Sequence, residues 1–283
     1  MGALSLRLLQ GITRRTVPNL ARFDAWMQAA GHSPGTRNLR LSFVKRFLRD
    51  VDPLTCTMSD VAVFMANDRW MPATRASALA SLRVFYEWIL LEGLRADNPM
   101  VGMKPVKVNQ GVPHPCPEDG FLHALKIADQ RTRLAVMLAG FAGLRRAEIA
   151  GMHGSMIGAG ELRVTGKGSK TRLVPIHPDL EPLLAPYRGQ DIYLFPSPNG
   201  GHLTPTTIGR IVSRHLPEGY STHSLRHRFA SQVHANSKDL RAVQILLGHA
   251  SLGTTQIYVN VSNDQLVSAV TSLSGVPHEI SAI

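Results

Sequence analysis

Five short segments in the second half of the chain carry arginine, lysine, histidine and tyrosine side chains whose types suit phosphoryl transfer. In chain order they are Gly143-Leu144-Arg145-Arg146-Ala147-Glu148, the turn around Lys167, His223-Ser224-Leu225-Arg226-His227, Leu246-Leu247-Gly248-His249, and Tyr258. Each segment alone is a weak signal. Taken together and in this order, they are hard to obtain by chance.

These residue types fit the transfer of a phosphoryl group from DNA to a protein hydroxyl. Charge builds up on the equatorial oxygens of the phosphorus, and without a metal ion it must be met by fixed cations and donors. Arg145 and Arg226 suit this task because each guanidinium can bind two phosphate oxygens with set geometry. Tyr258 offers a nucleophilic oxygen, and nearby cations should ease the loss of its proton. We predict that His223 receives this proton.

Each of these side chains also has a plain structural interpretation. Arg145 could pair with a surface carboxylate, and Tyr258 could pack its ring at the edge of a domain. His223 could cap a helix, because Thr and Ser flank it at a predicted helix start. Lys167 lies in a predicted turn, where lysines are usually just solvated. Only the conjunction of the segments favours catalysis over these alternatives.

Two other chemistries fail on spacing. The segment Gly166-Lys167-Gly168-Ser169 lacks the four residues between glycines, and the Ser or Thr directly after the lysine, that a phosphate-binding loop requires. His223 and His227 lie four residues apart, as zinc ligands do on a helix, but no glutamate base stands between them. We therefore expect neither a metal nor a nucleotide cofactor.

The first hundred residues look helical. Apolar residues recur at three- and four-residue spacing in four stretches, the third beginning near Ser59-Asp60 and the fourth covering about Thr74 to Leu91. We expect a compact bundle over residues 1–101 that binds DNA. The candidate DNA-binding residues are Arg37, Arg40, Lys45, Arg46, Arg75, Arg83, Lys104 and Lys107.

Residues 102–117 are predicted to be a linker. They contain four prolines, two glycines and two lysines, which cannot form a core element. Such a segment could run along a nucleic-acid backbone or simply connect two domains, and the sequence leaves both open.

Residues 118–283 are predicted to form a second, mostly helical domain with a small antiparallel sheet, so the fold class is mainly α (α+β). Residues 166–170 read as the turn of a hairpin between strands at 162–165 and 172–176. Residues 152–160 are small and flexible, so a strand there should be short. The predicted helices cover 119–129, 132–142, 145–152, 178–187, 205–215, 223–235, 239–247 and 263–272.

Composition favours a nucleic-acid partner. The chain has 31 Lys and Arg against 20 Asp and Glu, a formal net charge of +11, and both halves are basic. The two cysteines, Cys56 and Cys116, form neither a metal knuckle nor a disulfide framework, which fits a reducing compartment. We find no secretion or myristoylation signal and no apolar run of about 20 residues. A soluble, intracellular protein without a membrane partner is expected.

The ordered residues resemble the active-site signature of the tyrosine recombinase family, which includes the phage integrases and the Xer-type recombinases. The resemblance extends over nearly all of the chain. Glu148 falls where that family has an acidic residue supporting the site. The family's first arginine, hairpin lysine, histidine–arginine pair, later histidine and nucleophile correspond to Arg145, Lys167, His223, Arg226, His249 and Tyr258.

The resemblance also implies roles for the remaining residues. Lys167, rather than Lys170, would protonate the departing 5′ hydroxyl, and His249 would donate to a phosphate oxygen. Tyr258 would carry a 3′-phosphotyrosine, which a partner strand can reverse without ATP.

The resemblance further implies a C-shaped clamp on duplex DNA core sites, with four protomers acting together in a bacterial cytoplasm, at the nucleoid. Host or phage accessory proteins are further candidate partners. The residues before the bundle leave no room for an arm-binding domain. The apolar stripe at 266–273 could dock on a neighbouring protomer or fold back on its own core.

Phage integration is the favoured role, and Xer-like resolution and transposon excision are the alternatives. A strand-swivelling topoisomerase would share the Arg, Lys and Tyr chemistry. From another class, the chain could be a catalytically inactive DNA-binding protein.

Overall fold

The computed structural model describes residues 18–108, 113–166, 171–248 and 262–277. The chain divides into two compact units, Met1–Gly111 and Val112–Ile283. The division falls inside the segment predicted to be a linker.

The two ends of that segment pack in different cores. Met103 and Val106 pack against the buried core of the first unit. Cys116 is buried in the core of the second unit, and its backbone N–H donates to the Ser224 carbonyl at 3.0 Å.

The first unit is helical throughout its described secondary structure. Its helix starts follow from local sequence: Ser33 caps one helix ahead of Pro34, and Thr57 and Asp60 form a capping box for another. That capping box moves the start of the third helix ahead of Ser59-Asp60, where the sequence placed it. The helices are α1 Leu20–Ala29, α2 Pro34–Asp50, α3 Met58–Met65 and α4 Pro72–Leu91.

Aromatic side chains fill the core of the first unit. Phe23, Phe47, Phe85 and Trp88 are all buried, and the rings of Phe23 and Phe85 meet edge to face with centroids 5.3 Å apart. Burying each such side chain stabilises the fold by about 1.5–3 kcal/mol.

The second unit surrounds one buried helix. Residues 134–141 of its second helix are all buried, as expected for a central element. The helices of this unit are α5 Glu118–Ile127, α6 Gln130–Phe141, α7 Arg146–Ala150, α8 Glu181–Leu184, α9 Pro205–Ser213, α10 Thr222–Ser237, α11 Leu240–Leu247 and α12 Asn263–Thr271.

The second unit also holds the predicted antiparallel hairpin. Strands β1 Glu161–Thr165 and β2 Thr171–Pro175 pair with Thr165 opposite Thr171, whose hydroxyls lie 3.0 Å apart. Leu162, Val164 and Val174 are buried, so one face of the hairpin packs on the core. Residues 167–170 of the turn lie outside the described residues.

Two predicted elements differ from the structure. Residues 178–187 do not form one helix: a turn precedes α8, and a 3-10 turn, Ala185–Tyr187, follows it. Pro182 and Pro186 explain this, since a proline cannot donate to the carbonyl four residues earlier. Within 152–160, the described backbone forms a 3-10 turn and isolated bridges instead of a strand. A Cβ on Gly154 would clash with two backbone carbonyls, so this segment is closely packed rather than loose.

Arg228 joins the first helix of the second unit to α10. Its guanidinium donates to both carboxylate oxygens of Glu118 at 2.8 and 2.9 Å and lies 3.8 Å from the centre of the Phe121 ring. Since the Arg228 side chain is only 2% exposed, this pairing fixes α5 against α10.

Helix α12 packs on its own unit, which is the second of the two alternatives. Val270 and Leu273 are buried in the core beside α10, α11 and β2, while Val267 is exposed. The predicted fold class, mainly α with a small antiparallel sheet, is confirmed. Among the described residues there is no helix with the length and apolar character to cross a membrane.

Candidate active site

Arg145 and Glu148 form the first part of the site, at the start of α7. The backbone N–H of Arg145 donates to Glu148 Oε2 at 2.8 Å, and its Nη1 donates to Oε1 at 2.9 Å. The carboxylate therefore caps the helix and holds the guanidinium at once. The Glu148 side chain is 5% exposed whereas that of Arg145 is 40% exposed, so the arginine faces solvent from a buried support.

Arg226 approaches the same carboxylate from α10. Its Nη1 lies 3.9 Å from Glu148 Oε2. The same guanidinium donates to the carbonyls of Gly143 and Leu247, the latter at 2.7 Å, so its position is fixed by the fold. Burial and the nearby charge of Arg145 lower the pKa of Arg226 to about 9. Two like charges are thus held close together where a phosphate would stabilise both.

His223 stands three residues before Arg226, one turn earlier on the same face of α10. The helix is capped by Ser221, whose Oγ accepts from the His223 backbone N–H at 3.2 Å. The capping interpretation of the His223 side chain is therefore wrong. The His223 side chain is exposed overall, but partial burial of the ring lowers its pKa. The neighbouring His227, Arg226 and Arg145 lower this pKa further. The imidazole is accordingly neutral near pH 7 and able to accept a proton.

Arg145, His223 and Arg226 line an open cleft of about 690 Å³. Arg146 and Arg210 add two exposed cations that the sequence argument did not select. Arg146 could have been noticed beside Arg145, but Arg210 has no motif around it. The lining residues are Arg145, Arg146, Ala147, Thr206, Gly209, Arg210, Ser213, Ser221, Thr222, His223 and Arg226.

Arg172, on β2, is a further residue of the site that the sequence did not reveal, and it contacts Glu148 instead of lining the cleft. Its Nη1 and Nη2 donate to the two oxygens of Glu148, each at 2.9 Å. Burial raises the pKa of Glu148, but the bonds from Arg172 and Arg145 outweigh burial and leave this pKa below its ordinary value. The carboxylate therefore stays charged among three arginines.

The structure brings together four of the seven predicted active-site and supporting residues: Arg145, Glu148, His223 and Arg226. Lys167, His249 and Tyr258 lie outside the described residues. The nearest described residues along the chain are Gly166 and Thr171 on either side of the Lys167 turn, and Gly248 directly before His249.

The predicted DNA-binding residues all belong to the first unit. Several already have partners in that unit: Arg37 pairs with Asp24 at 3.4 Å, Arg75 donates to the Asn67 carbonyl at 3.1 Å, and Arg83 donates to the Met103 carbonyl at 2.5 Å. Arg40 is half-buried and donates to the Ala80 carbonyl at 3.5 Å, and Arg46 lies 5.1 Å from the centre of the Trp70 ring. Lys45, Lys104 and Lys107 are exposed.

His223 and His227 do not form part of a wider ligand set. Across the described ranges, no three His, Cys, Asp or Glu side chains converge where they could hold a metal ion. Arg226 lies between the two histidines in sequence, and its charge is among the causes that lower the pKa of each.

A model of the phage integrase family matches residues 118–265, more than half of the chain. This chain belongs to the phage integrase family. The tyrosine recombinase resemblance carried by the ordered residues is thereby confirmed, and the chain is a tyrosine-type site-specific recombinase by family.

Relatives of this integrase-family chain match along most of its length. It is 31% identical to tyrosine recombinase XerD of Pseudomonas aeruginosa, covering 90% of this chain and 88% of that protein. It is 27% identical to the solved integrase of mycobacterium phage Brujita, with a TM-score of 0.51 and coverage of 95% and 98%. A lambda integrase dimer bound to a COC′ core site shares the fold, with 20% identity, a TM-score of 0.66 and coverage of 86% and 98%.

Proposed function

We propose that this recombinase cuts and rejoins DNA through a covalent bond between Tyr258 and a backbone phosphate. The observation that carries the proposal is the convergence of Arg145, Arg226 and His223 on one cleft, with Glu148 buried behind them. Among the described residues, Glu148 is the only acceptor of the Arg145 guanidinium, and it uses Nη1. Nε and Nη2 of Arg145 are then available to donate to a phosphate.

In the proposed reaction the Tyr258 oxygen attacks the scissile phosphorus while the bond from phosphorus to the 5′ oxygen breaks. The tyrosine proton passes to His223, whose lowered pKa keeps it ready to accept one. Lys167 gives a proton to the departing 5′ oxygen, and His249 donates to a phosphate oxygen. Attack by the 5′ hydroxyl of a partner strand on the 3′-phosphotyrosine reverses these steps and releases Tyr258.

The two arginines stabilise the charge that builds up on the phosphoryl oxygens. Arg226 is 4% exposed, so its interaction with a phosphate is little screened by water. Losing one donor of this kind typically costs roughly 2.7–4 kcal/mol of transition-state stabilisation.

We assign Arg146 and Arg210 to backbone phosphates beside the scissile one. Both are exposed and line the cleft, which has more room than one phosphate requires. Exposed arginines of this kind contribute affinity without reading sequence. In the first unit, Lys45, Lys104 and Lys107 are predicted DNA contacts with exposed side chains, which favours that role.

Exchange between two duplexes requires the cleavage of four strands, and one nucleophilic tyrosine per protomer therefore predicts a tetramer on DNA core sites. Phage integration is the proposed role, supported by the similarity to a phage integrase along 95% of the chain. Xer-like resolution is the second candidate, since the XerD relative is matched over 88% of its length. An attachment-site repeat next to the gene would favour the phage role, and host or phage accessory proteins are then expected.

The test begins by finding the DNA site. The full chain is mixed with sheared genomic DNA from its source, the reaction is stopped with detergent, and covalently attached fragments are sequenced. A nicked suicide duplex with the captured sequence should then trap the adduct with the unaltered chain and with Tyr193→Phe, which changes an exposed tyrosine. Tyr258→Phe should form none. An adduct that survives in Tyr258→Phe, or no adduct with the unaltered chain, contradicts the proposal.

Two further measurements separate the alternatives. Adduct formation should persist in EDTA, and its abolition by the chelator would revive a metal mechanism. A supercoiled plasmid without the captured site should remain largely supercoiled, because efficient relaxation would favour a topoisomerase.

A further inference from the structure

The Arg172 side chain is only 8% exposed, and its guanidinium makes three hydrogen bonds within the protein. Two go to the carboxylate of Glu148, and the third runs from Nε to the Leu246 carbonyl at 2.8 Å. The planar guanidinium thus joins β2, α7 and the end of α11. A lysine could not make this set of bonds because it lacks the fixed fork.

The bonds to Glu148 control what Arg145 can do. Glu148 is 5% exposed and must have its charge compensated. With both oxygens bonded by Arg172, Glu148 needs only Nη1 of Arg145. Without Arg172, only Arg145 would remain to form a close ion pair with the buried Glu148 carboxylate. The Arg145 guanidinium would then be drawn toward Glu148 and away from the cleft.

The bond to Leu246 also reaches the second phosphate-binding arginine. Arg172 and Arg226 donate to successive carbonyls, those of Leu246 and Leu247, at the end of α11. Carbonyls in the last turn of a helix lack partners within the helix, so two cations are well placed there. The groups that bind the guanidiniums of Arg145 and Arg226, namely Glu148 and the end of α11, are thus both held by Arg172.

Glycines allow the close approach of neighbouring backbone to this cluster. Gly248 has φ +62°, and a Cβ there would lie 2.9 Å from Arg172 Cδ. A Cβ on Gly166 would lie 3.3 Å from Glu148 Oε1. The backbone that leads into both neighbouring segments therefore lies directly against the Arg172–Glu148 pair.

We propose that Arg172 is a positioning residue for the phosphate site: its fork holds Glu148 and the end of α11 so that Arg145 and Arg226 face one phosphate. Arg172 itself touches no reacting atom. The inference rests on the proposed function. Its rival is that Arg172 merely adds one positive charge.

Three variants of the full chain separate geometry from charge. Arg172→Lys keeps the charge and removes the fork, Arg172→Gln removes both, and the Glu148→Gln, Arg172→Gln double variant restores the net charge without the ion pair. The matched control is Arg163→Lys, an exposed arginine on the paired strand β1.

The readout is the rate of covalent adduct formation on the captured suicide duplex over a range of DNA concentrations. We expect the saturated rate to fall about 10²-fold in all three variants, as for a small misplacement of catalytic groups. The DNA concentration at half-maximal rate should change less than about threefold, because most phosphate contacts remain. An unaltered saturated rate in Arg172→Lys or in the double variant overturns the proposal.

Chemical rescue covers the case in which a variant is unstable. Arg172→Ala is assayed with added methylguanidinium or methylammonium, after thermal unfolding has established that it folds under those conditions. Methylguanidinium should raise the adduct rate of Arg172→Ala at least tenfold, whereas methylammonium should leave that rate unchanged. Equal restoration by both ions would leave only charge as the role of Arg172.

A measurement without DNA distinguishes this proposal from the proposed function. The Nε–H signals of Arg145 and Arg226 in the ¹⁵N-arginine-labelled chain are titrated with inorganic phosphate. Apparent affinity should fall about tenfold in Arg172→Lys and stay unchanged in Arg163→Lys. Equal affinity in Arg172→Lys overturns the positioning role whether or not DNA is cut. A tenfold loss in a chain that captures no DNA leaves that role standing while the proposed function fails.

Discussion

His223 and His227 lie one turn apart on α10, with ring centroids 4.3 Å apart and ring planes at 70°. His227 is half-buried, and burial and the charge of Arg226 lower its pKa, as does His114. His227 and Arg226 are both among the causes that disfavour protonation of His223. The pair therefore keeps His223 neutral to a lower pH than a solitary histidine would allow.

Replacing His227 should change the pH dependence of cleavage. In His227→Phe the ring contact remains but one cause of the lowered His223 pKa is lost, so that pKa rises toward its ordinary value. Because the neutral form accepts the tyrosine proton, the fall in adduct rate on the acid side should move to higher pH. Rates measured between pH 5 and 8, with His234→Phe on the same helix as the control, check this. An acid limb unmoved by His227→Phe would contradict it.

Replacing Glu148 should lower stability as well as activity. Glu148→Gln leaves the buried guanidinium of Arg172 without its anionic partner, which should reduce the free energy of unfolding by roughly 3–5 kcal/mol. Glu161→Gln, a half-buried change on β1, should stay within about 0.5 kcal/mol. Urea unfolding at pH 7 measures both, and similar losses in the two variants would argue against the buried ion pair.

The stability difference between the unaltered chain and Glu148→Gln should also depend on pH. Since the pKa of Glu148 is depressed in the folded state, its contribution is fully present above the ordinary carboxyl pKa. The contribution is lost as the pH falls through the lower pKa of the folded state. Unfolding measured from pH 7 downward should therefore show the two free energies converging only in strong acid.

Gly143→Ala tests the backbone that supports Arg226. Gly143 has φ +62°, and a Cβ there would lie 2.5 Å from the Phe229 ring, so strain and overpacking together should cost about 2–5 kcal/mol. Gly160 has φ +83° with nothing within 4 Å, so Gly160→Ala should cost only about 1–2 kcal/mol. Denaturant midpoints of the two variants give the comparison. Equal midpoints would mean that the Phe229 ring yields without cost.

Arg146→Gln and Arg210→Gln should weaken DNA binding in a salt-dependent way. Each change should reduce the slope of log affinity against log salt by about 1 on a duplex of arbitrary sequence. Arg214→Gln, at the end of α9 and outside the cleft lining, is the matched control. An unchanged slope for Arg146→Gln and Arg210→Gln would remove them from the DNA contacts.

The sequence predicted those parts of the site that rest on local spacing. Arg145, His223 and Arg226 could be selected as members of an ordered motif, and Glu148 because it falls where the tyrosine recombinase family has an acidic residue. Their short spacings are ones that keep each pair within one turn of a helix. Arg172 could not be selected, since its partner Glu148 lies 24 residues away and only tertiary packing joins them.

The same division holds for the fold. Helices with clear apolar periodicity appeared where expected, but their ends depended on particular side chains. Thr57 starts α3 early, and Pro182 and Pro186 break the predicted helix at 178–187. The predicted domain bounds of 1–101, 102–117 and 118–283 stay a prediction.

The bond from Cys116 to Ser224 bears on how the second unit could be produced as a separate fragment. The family match begins at residue 118, yet the buried Cys116 side chain and its bond to α10 come before that point. A fragment starting at Glu118 would put its new, positively charged amino terminus on a residue that clasps Arg228. Expression boundaries are therefore better placed at or before Pro113, so that α10, which bears His223 and Arg226, keeps its hydrogen bond from Cys116.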